Sequence, residues 1–254
     1  LKVGARRADG YHEVRTLLQS IGLADSLTFS GRPGPFALLS RTPGVPDDPT
    51  NLVWRAADRL WRAAGRPGDP RDAHVRLEKQ IPAGAGLGGG SADAAAALVG
   101  LNQVWGTRVP RRVLFELAAE LGADVPFCLL GGTALGTGRG DELYPVDDVG
   151  RLGVVVIKPS WSVRTADAYA WFDEGVPATG AGEVRRPVDL GWPTGPVLLS
   201  NDLQAPVGAR HPGIQEMIDA CVGAGAIAAS MTGSGSAVFG LFPESVARRA
   251  AERL

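Results

Sequence analysis

Between Pro82 and Ala95 the chain reads PAGAGLGGGSADAA, five glycines running into a serine and a stretch of small residues. Glycine accepts positive φ and lets a ligand approach the main chain without a Cβ in the way. With a helix opened by Ser91, successive backbone N–H groups and the positive end of the helix dipole converge on one spot, which suits a polyphosphate. Several phosphate-binding patterns compete for this run. Gly84, Gly86 and Gly89 satisfy G-x-G-x-x-G, but the segment before them alternates apolar and polar residues where a dinucleotide fold requires a fully buried strand. Nor does an acidic residue end a second strand about 20 positions on. A P-loop is excluded because no Gly-Lys-Ser/Thr follows. What remains is a Pro-led, glycine-rich loop of another kind. A flexible linker is the bland alternative, and linkers rarely lie between a strand and a helix.

Asp124 is the second centre of interest, lying just past a helical pattern and just before Val125 and Pro126. Beside a bound polyphosphate, a carboxylate accepts or orients the proton of an acceptor alcohol. Read alone, an Asp followed two positions later by Pro is equally well explained as a helix cap. Tyr11 offers a ring to stack on a base and His12 an imidazole to hydrogen-bond its edge, although in isolation a partly buried aromatic and a backbone-satisfied histidine account for both. Lys79 reads as a solvated strand lysine and Asn51 as a helix N-cap. Ser91 is expected as an N-cap whose hydroxyl could also meet phosphate or Mg²⁺. Cys128 is expected simply to pack.

Bulk properties narrow the partners. A chain of 254 residues has room for two domains, and 44% hydrophobic with 21% charged residues is a globular composition. With 26 Lys+Arg against 27 Asp+Glu, no global positive field exists, so neither a nucleic acid nor a membrane is an expected partner and any anionic ligand must be held locally. Cys128 and Cys221 lie far apart and no Cys/His cluster has zinc spacing, so no metal-ligating residues are expected and a reducing cytoplasm fits. No apolar run long enough to span a bilayer and no secretion leader is visible.

The elements that must position these groups follow from hydrophobic periodicity. Residues 12–29 read as strand-like, 51–64 as a helix capped by Asn51, and 74–81 as a half-buried strand with Val75, Leu77, Lys79 and Ile81 on one face. Residues 91–105 and 111–121 read as helices, the second ended by Gly122. Residues 153–157 are a buried strand, and 177–196 a Gly- and Pro-rich surface excursion. A helix over 214–222, an Ala-rich strand, a glycine turn at 232–236, a strand and a closing helix complete the chain. A domain change is expected near residue 148.

Set between a strand and a helix, the run from Pro82 resembles the ATP-binding motif of the GHMP kinases. LGADVPFCLLGGTALGTGRGD at 121–141 and MTGSGSAVFG at 231–240 resemble the second and third motifs of that family, in the same order. RRADGYHEVRTLLQSI at 6–21, with Asn51, residues 162–169 and Asn201-Asp202, is similar to the branch that acts on a cytidine diphosphate-linked methylerythritol in the non-mevalonate route to isoprenoids. The resemblance implies a two-lobed α+β kinase with an N-terminal lobe like domain 2 of ribosomal protein S5 and a ferredoxin-like C-terminal lobe, divided as 1–147 and 148–254. It implies ATP and Mg²⁺ as cofactors, phosphoryl transfer to a 2-hydroxyl, and a cytoplasmic monomer or weak homodimer. By the same resemblance Asp124 is the catalytic aspartate. Pro82, Ala83, Gly84, Ala85, Gly86, Leu87, Gly88, Gly89, Gly90, Ser91 and Ala92 surround the nucleotide, with Asn51 and Lys79 near its adenosine. Tyr11, His12, Thr165 and Tyr169 surround the cytidyl group.

The family also carries a lysine in a Pro-x-Lys-x-Asn segment ahead of its first strand. Here the chain opens at Leu1 within a strand pattern, Lys2 does not align with that lysine, and residues are expected upstream. Residues 1–254 by themselves are accordingly expected to bind nucleotide poorly or to turn over slowly. Two alternatives stay open: another GHMP kinase acting on homoserine, mevalonate or a sugar, and a nucleotide-binding homologue that has lost the chemistry.

Overall fold

The computed structural model describes residues 1–148, 150–175 and 199–254, and the expected excursion at 177–196 lies outside the described residues. The chain divides into two units. The first comprises residues 3–83 and 87–148; the second comprises residues 1–2, 84–86 and the described residues beyond Asp148.

In the first unit, β1 (Lys2–Arg6) and β2 (His12–Gln19) join β6 (Thr133–Thr137) and β7 (Glu142–Val146) in a four-stranded sheet of order β1-β2-β6-β7. A second sheet sets β5 (Arg71–Glu78) between β3 (Ser26–Pro35) and β4 (Ala37–Ser40). β5 alternates as its sequence demands: Ala73, Val75 and Leu77 are buried, and Val75 lies opposite Phe29 on the antiparallel side and Leu38 on the parallel side. The strand-like stretch 12–29 is thus two strands in two different sheets, with a break the apolar pattern does not mark.

Four helices complete this unit: α1 (Leu52–Ala63), α2 (Gly89–Val104), α3 (Arg111–Leu121) and α4 (Val125–Leu130). Val53, Ala56, Ala57, Leu60 and Trp61 form the buried stripe of α1, and one core unites them with Val75, Leu77, Leu98, Leu101 and Leu117. Asn51 caps α1 as expected, its Oδ1 accepting from Val53 N–H at 2.9 Å. Two boundaries differ from expectation. α2 starts at Gly89, so Ser91 is its third residue and not its cap; Gly88, at φ +67°, turns the chain into the helix without a side-chain acceptor. β5 ends at Glu78 although the alternation runs on to Ile81, because the N–H groups of Gln80 and Ile81 donate to the Asp25 carboxylate instead of a neighbouring strand.

The second unit holds β8 (Leu152–Ile157), α5 (Thr165–Gly175), α6 (Gln204–Arg210), α7 (Gly213–Gly223), β9 (Ala228–Met231), β10 (Val238–Pro243) and α8 (Glu244–Ala251). β10 is central and antiparallel to both neighbours, with Val238 opposite Ile157 of β8 and Met231 of β9. Phe242 is fully buried against Val155 and Ala250.

Candidate active site

The glycine run behaves as its composition requires. Gly84, Gly86 and Gly88 take φ of +67°, +74° and +67°, conformations that residues with a Cβ rarely adopt. Within the second unit, residues 84–86 lie against the glycine turn that follows β9. Ala237 N–H donates to Ala85 O at 3.1 Å, and Thr232 Oγ1 donates to Gly86 O at 3.0 Å. A Cβ on Gly86 would stand 2.7 Å from Gly235 O and 2.8 Å from Thr232 O. Asn201 steadies the same turn, its Nδ2 donating to Met231 O at 2.9 Å and Gly233 O at 2.8 Å. Thr165, at the start of α5, shares a hydrogen bond of 3.0 Å with Ser234 across the hydroxyls. Two glycine-rich segments far apart in sequence therefore meet, and Thr165 joins them through Ser234.

In the first unit, the run ends at the N-terminus of α2, where no side chain caps the helix. The opening N–H groups of a helix have no partner within it, and the dipole adds positive potential at that end. Beside it lies a buried ion network. Lys79 Nζ donates to Asp25 Oδ2, and to Asp93 Oδ2 at 2.7 Å; the three side chains are 8%, 2% and 5% exposed. Lys79 is therefore not a solvated strand lysine, and sequence reasoning passed over both acidic partners. Burial works against ionisation of Asp25, but Lys79 and the N–H groups of Ile81 and Gln80 outweigh it and hold the carboxyl below its ordinary range. Burial pushes Asp93 up to about 6 despite Lys79, and its Oδ1 has no hydrogen-bond partner. The one hint in sequence was Asp93 itself, a lone acid among the small residues that open α2.

Asp124 immediately precedes α4, which packs on α2 and α3. Its backbone is helical, at φ −83° and ψ −16°, and its carboxylate caps nothing, so the capping alternative fails. The residue is exposed to solvent, yet its surroundings are dense enough that desolvation raises its pKa above that of a free Asp. Burial pushes the Cys128 thiol up to about 12, helped by the negative charges of Asp124 and Asp93. Both carboxylates thus lie within electrostatic reach of one inert, packed thiol.

The remaining predicted residues divide between the units. Tyr11 is exposed, with the Arg139 guanidinium 5.3 Å from its ring centroid and Arg139 held in turn by Asp141 at 2.5 Å. His12 is buried at the head of β2. In the second unit Tyr169 is half-buried on α5, one turn beyond Thr165. Lys2, set aside as a catalytic lysine, pairs with Asp202 at 2.9 Å. Among the described residues no group of three or more His, Cys, Asp or Glu side chains could hold a metal, and no helix is long and apolar enough to cross a membrane.

Comparison with known proteins adds to this geometry. The model for the GHMP kinases N terminal domain matches residues 51–132, and that for the GHMP kinases C terminal domain matches residues 176–254. The 4-diphosphocytidyl-2-C-methyl-D-erythritol kinase of Anaeromyxobacter dehalogenans (strain 2CP-C) is 45% identical over 260 residues, covering 99% of this chain and 80% of that protein. The kinase of the same name from Moorella thermoacetica (strain ATCC 39073 / JCM 9320) is 42% identical, covering 100% of this chain and 90% of that protein. A crystal structure of 4-(cytidine 5'-diphospho)-2C-methyl-D-erythritol kinase superposes with a TM-score of 0.77 at 37% identity, covering 98% of this chain and 89% of that one.

Proposed function

The chain belongs to the GHMP kinase family, and from that premise we propose that it moves the γ-phosphate of ATP onto the 2-hydroxyl of 4-diphosphocytidyl-2-C-methyl-D-erythritol, a step of the non-mevalonate route to isoprenoid precursors. The observation that carries the ATP reading is the loop with left-handed glycines at 84, 86 and 88 that runs into an uncapped helix N-terminus. Residues 82–92 cradle the phosphates with main-chain N–H groups, and Asn51 and Lys79 belong to the adenosine side of that site. The substrate assignment draws on the relatives at 42–45% identity that carry this activity in their names.

Asp124 accepts or orients the proton of the acceptor hydroxyl as its oxygen attacks the γ-phosphorus and the bond from that phosphorus to the β-phosphate bridging oxygen breaks, leaving ADP. An accessible carboxyl with raised pKa is a competent base for this proton. The family resemblance assigns Tyr11 and His12 of the first unit, and Thr165 and Tyr169 of the second, to recognition of the cytidyl group. Mg²⁺, when bound, neutralises phosphate charge; lacking a carboxylate or histidine cluster among the described residues, the chain would leave most of its coordination to phosphate and water oxygens, with the Ser91 hydroxyl as an available protein oxygen. Residues 1–147 form the ATP-binding domain and 148–254 the C-terminal domain in this reading. The two free cysteines and the near-zero net charge favour a cytoplasmic protein without nucleic-acid or membrane partners; a monomer or weak homodimer completes the proposed reading.

The test is ADP release from ATP with a panel of acceptors. Turnover with the cytidyl substrate alone is the expected result. Turnover instead with homoserine, mevalonate or a sugar overturns the substrate assignment, and a lack of ADP release with every acceptor on the panel overturns the reaction.

A further inference from the structure

The phosphate-binding loop has to keep its N–H groups aimed before any nucleotide arrives, because donors that must reorganise on binding lose much of their effect. Glycines alone do not supply that rigidity. The two ends of the loop must be fixed by something else, and the β5 ladder stops at Glu78, short of the entry. Asp25 takes over at that point: its Oδ1 accepts from Gln80 N–H at 2.5 Å and from Ile81 N–H at 2.8 Å, while its Oδ2 accepts from Lys79 Nζ. Lys79 Nζ then reaches Asp93 Oδ2, five residues into α2 counting from Gly89.

We infer that Asp25 is a positioning residue for nucleotide binding: it anchors the loop entry through two backbone N–H groups and, through Lys79 and Asp93, ties that entry to the helix at the loop exit. This rests on the ATP reading above. A Cβ built on Gly89 would stand 3.2 Å from Lys79 Nζ, so the ammonium sits beside the first residue of α2, at the positive end of the helix. A cation there is disfavoured by the dipole, and it stays because two carboxylates flank it. With side chains 8%, 2% and 5% exposed, water cannot replace a lost partner, so removing either carboxylate leaves a buried ammonium undercompensated next to the loop. Here two of the bonds to Asp25 go to main chain at the loop entry.

Asp25→Asn and Asp93→Asn in the full chain test this, because both keep the shape of the side chain. Asp25→Asn is expected to raise KM for ATP about tenfold or more, with KM for the acceptor unchanged within about twofold and kcat reduced less than KM is raised. Hydrogen exchange without nucleotide should show the amides of residues 80–91 exchanging about tenfold faster in the variant, while those of β8 and β10 keep their wild-type rates. Asp93→Asn, which leaves Asp25 bonded to Lys79 and both N–H groups, should shift the same readouts in the same direction by less. Unchanged KM for ATP together with unchanged loop exchange overturns the inference; so does an equal rise in both KM values, or exchange that quickens uniformly as for simple destabilisation. If Asp25→Asn does not fold, the Asp93→Asn result decides by the same criteria. If the wild-type protein fails to turn over ATP, the kinase reading fails, and the nucleotide-free exchange measurement still decides whether Asp25 positions the loop.

Discussion

Asp124 is open to water, and dense surroundings nevertheless make its carboxyl harder to ionise, which suits the base role proposed for it. Asp124→Asn is expected to lower kcat by about 10²–10⁴-fold with KM for ATP little changed, measured by ADP release. The base must be ionised to act, so activity falls on acidification; because its pKa is raised, that fall sets in at a higher pH than for a free Asp, which a profile of kcat against pH will show. Asp93 gives a separate signal in stability. Its folded carboxyl binds a proton more tightly than the unfolded one, from an ordinary 3.8 up to about 6. The resulting stabilisation is full below the ordinary value and is lost as pH rises through about 6. The stability of wild type relative to Asp93→Asn should therefore decline across that window in denaturant titrations. Asp124 was legible in sequence only through its motif, and its alternative role as a cap needed the backbone angles to be rejected. Asp25 was not legible at all, since nothing near it in the chain suggests a partner.

At the scale of elements, local signals were read well where one feature dominates. The buried stripe and cap of α1 and the limits of α3 follow from apolar spacing and from Asn51. Asn51→Ala should cost about 0.5–2 kcal/mol by thermal or denaturant unfolding, the usual loss for such a cap. Where two features compete, sequence misled. Ser91 looked like a cap, but Gly88 turns the chain into α2 earlier; the alternation after β5 looked like more strand, but Asp25 takes the N–H groups. Gly86 is the element-scale weak point of the loop. Gly86→Ala would force a Cβ at φ +74° against two backbone carbonyls that cannot rotate aside, so a loss of about 1–3 kcal/mol is expected from urea midpoints, with a raised KM for ATP.

For the whole molecule, ligand linkage offers a test that does not depend on turnover. A ligand bound only by the folded state stabilises it by about 2.7 kcal/mol at 100 times its Kd. ATP and the cytidyl acceptor should each raise Tm on this basis, while homoserine and mevalonate leave it unchanged. The division of the chain into units is itself not a single cut, since residues 84–86 group with the residues beyond Asp148. No reading of a linear pattern would separate three residues of a loop from their neighbours.

The amino-acid sequence by itself determined the glycine-rich loop, the main helices and the family, because glycine freedom, apolar period and motif order are properties of neighbouring residues. Only the tertiary structure decided where the charges go. Lys79 meets Asp25 across 54 positions and Thr232 meets Gly86 across 146. Such pairings depend on how strands and helices pack, and packing is a property of the folded chain that no local pattern encodes.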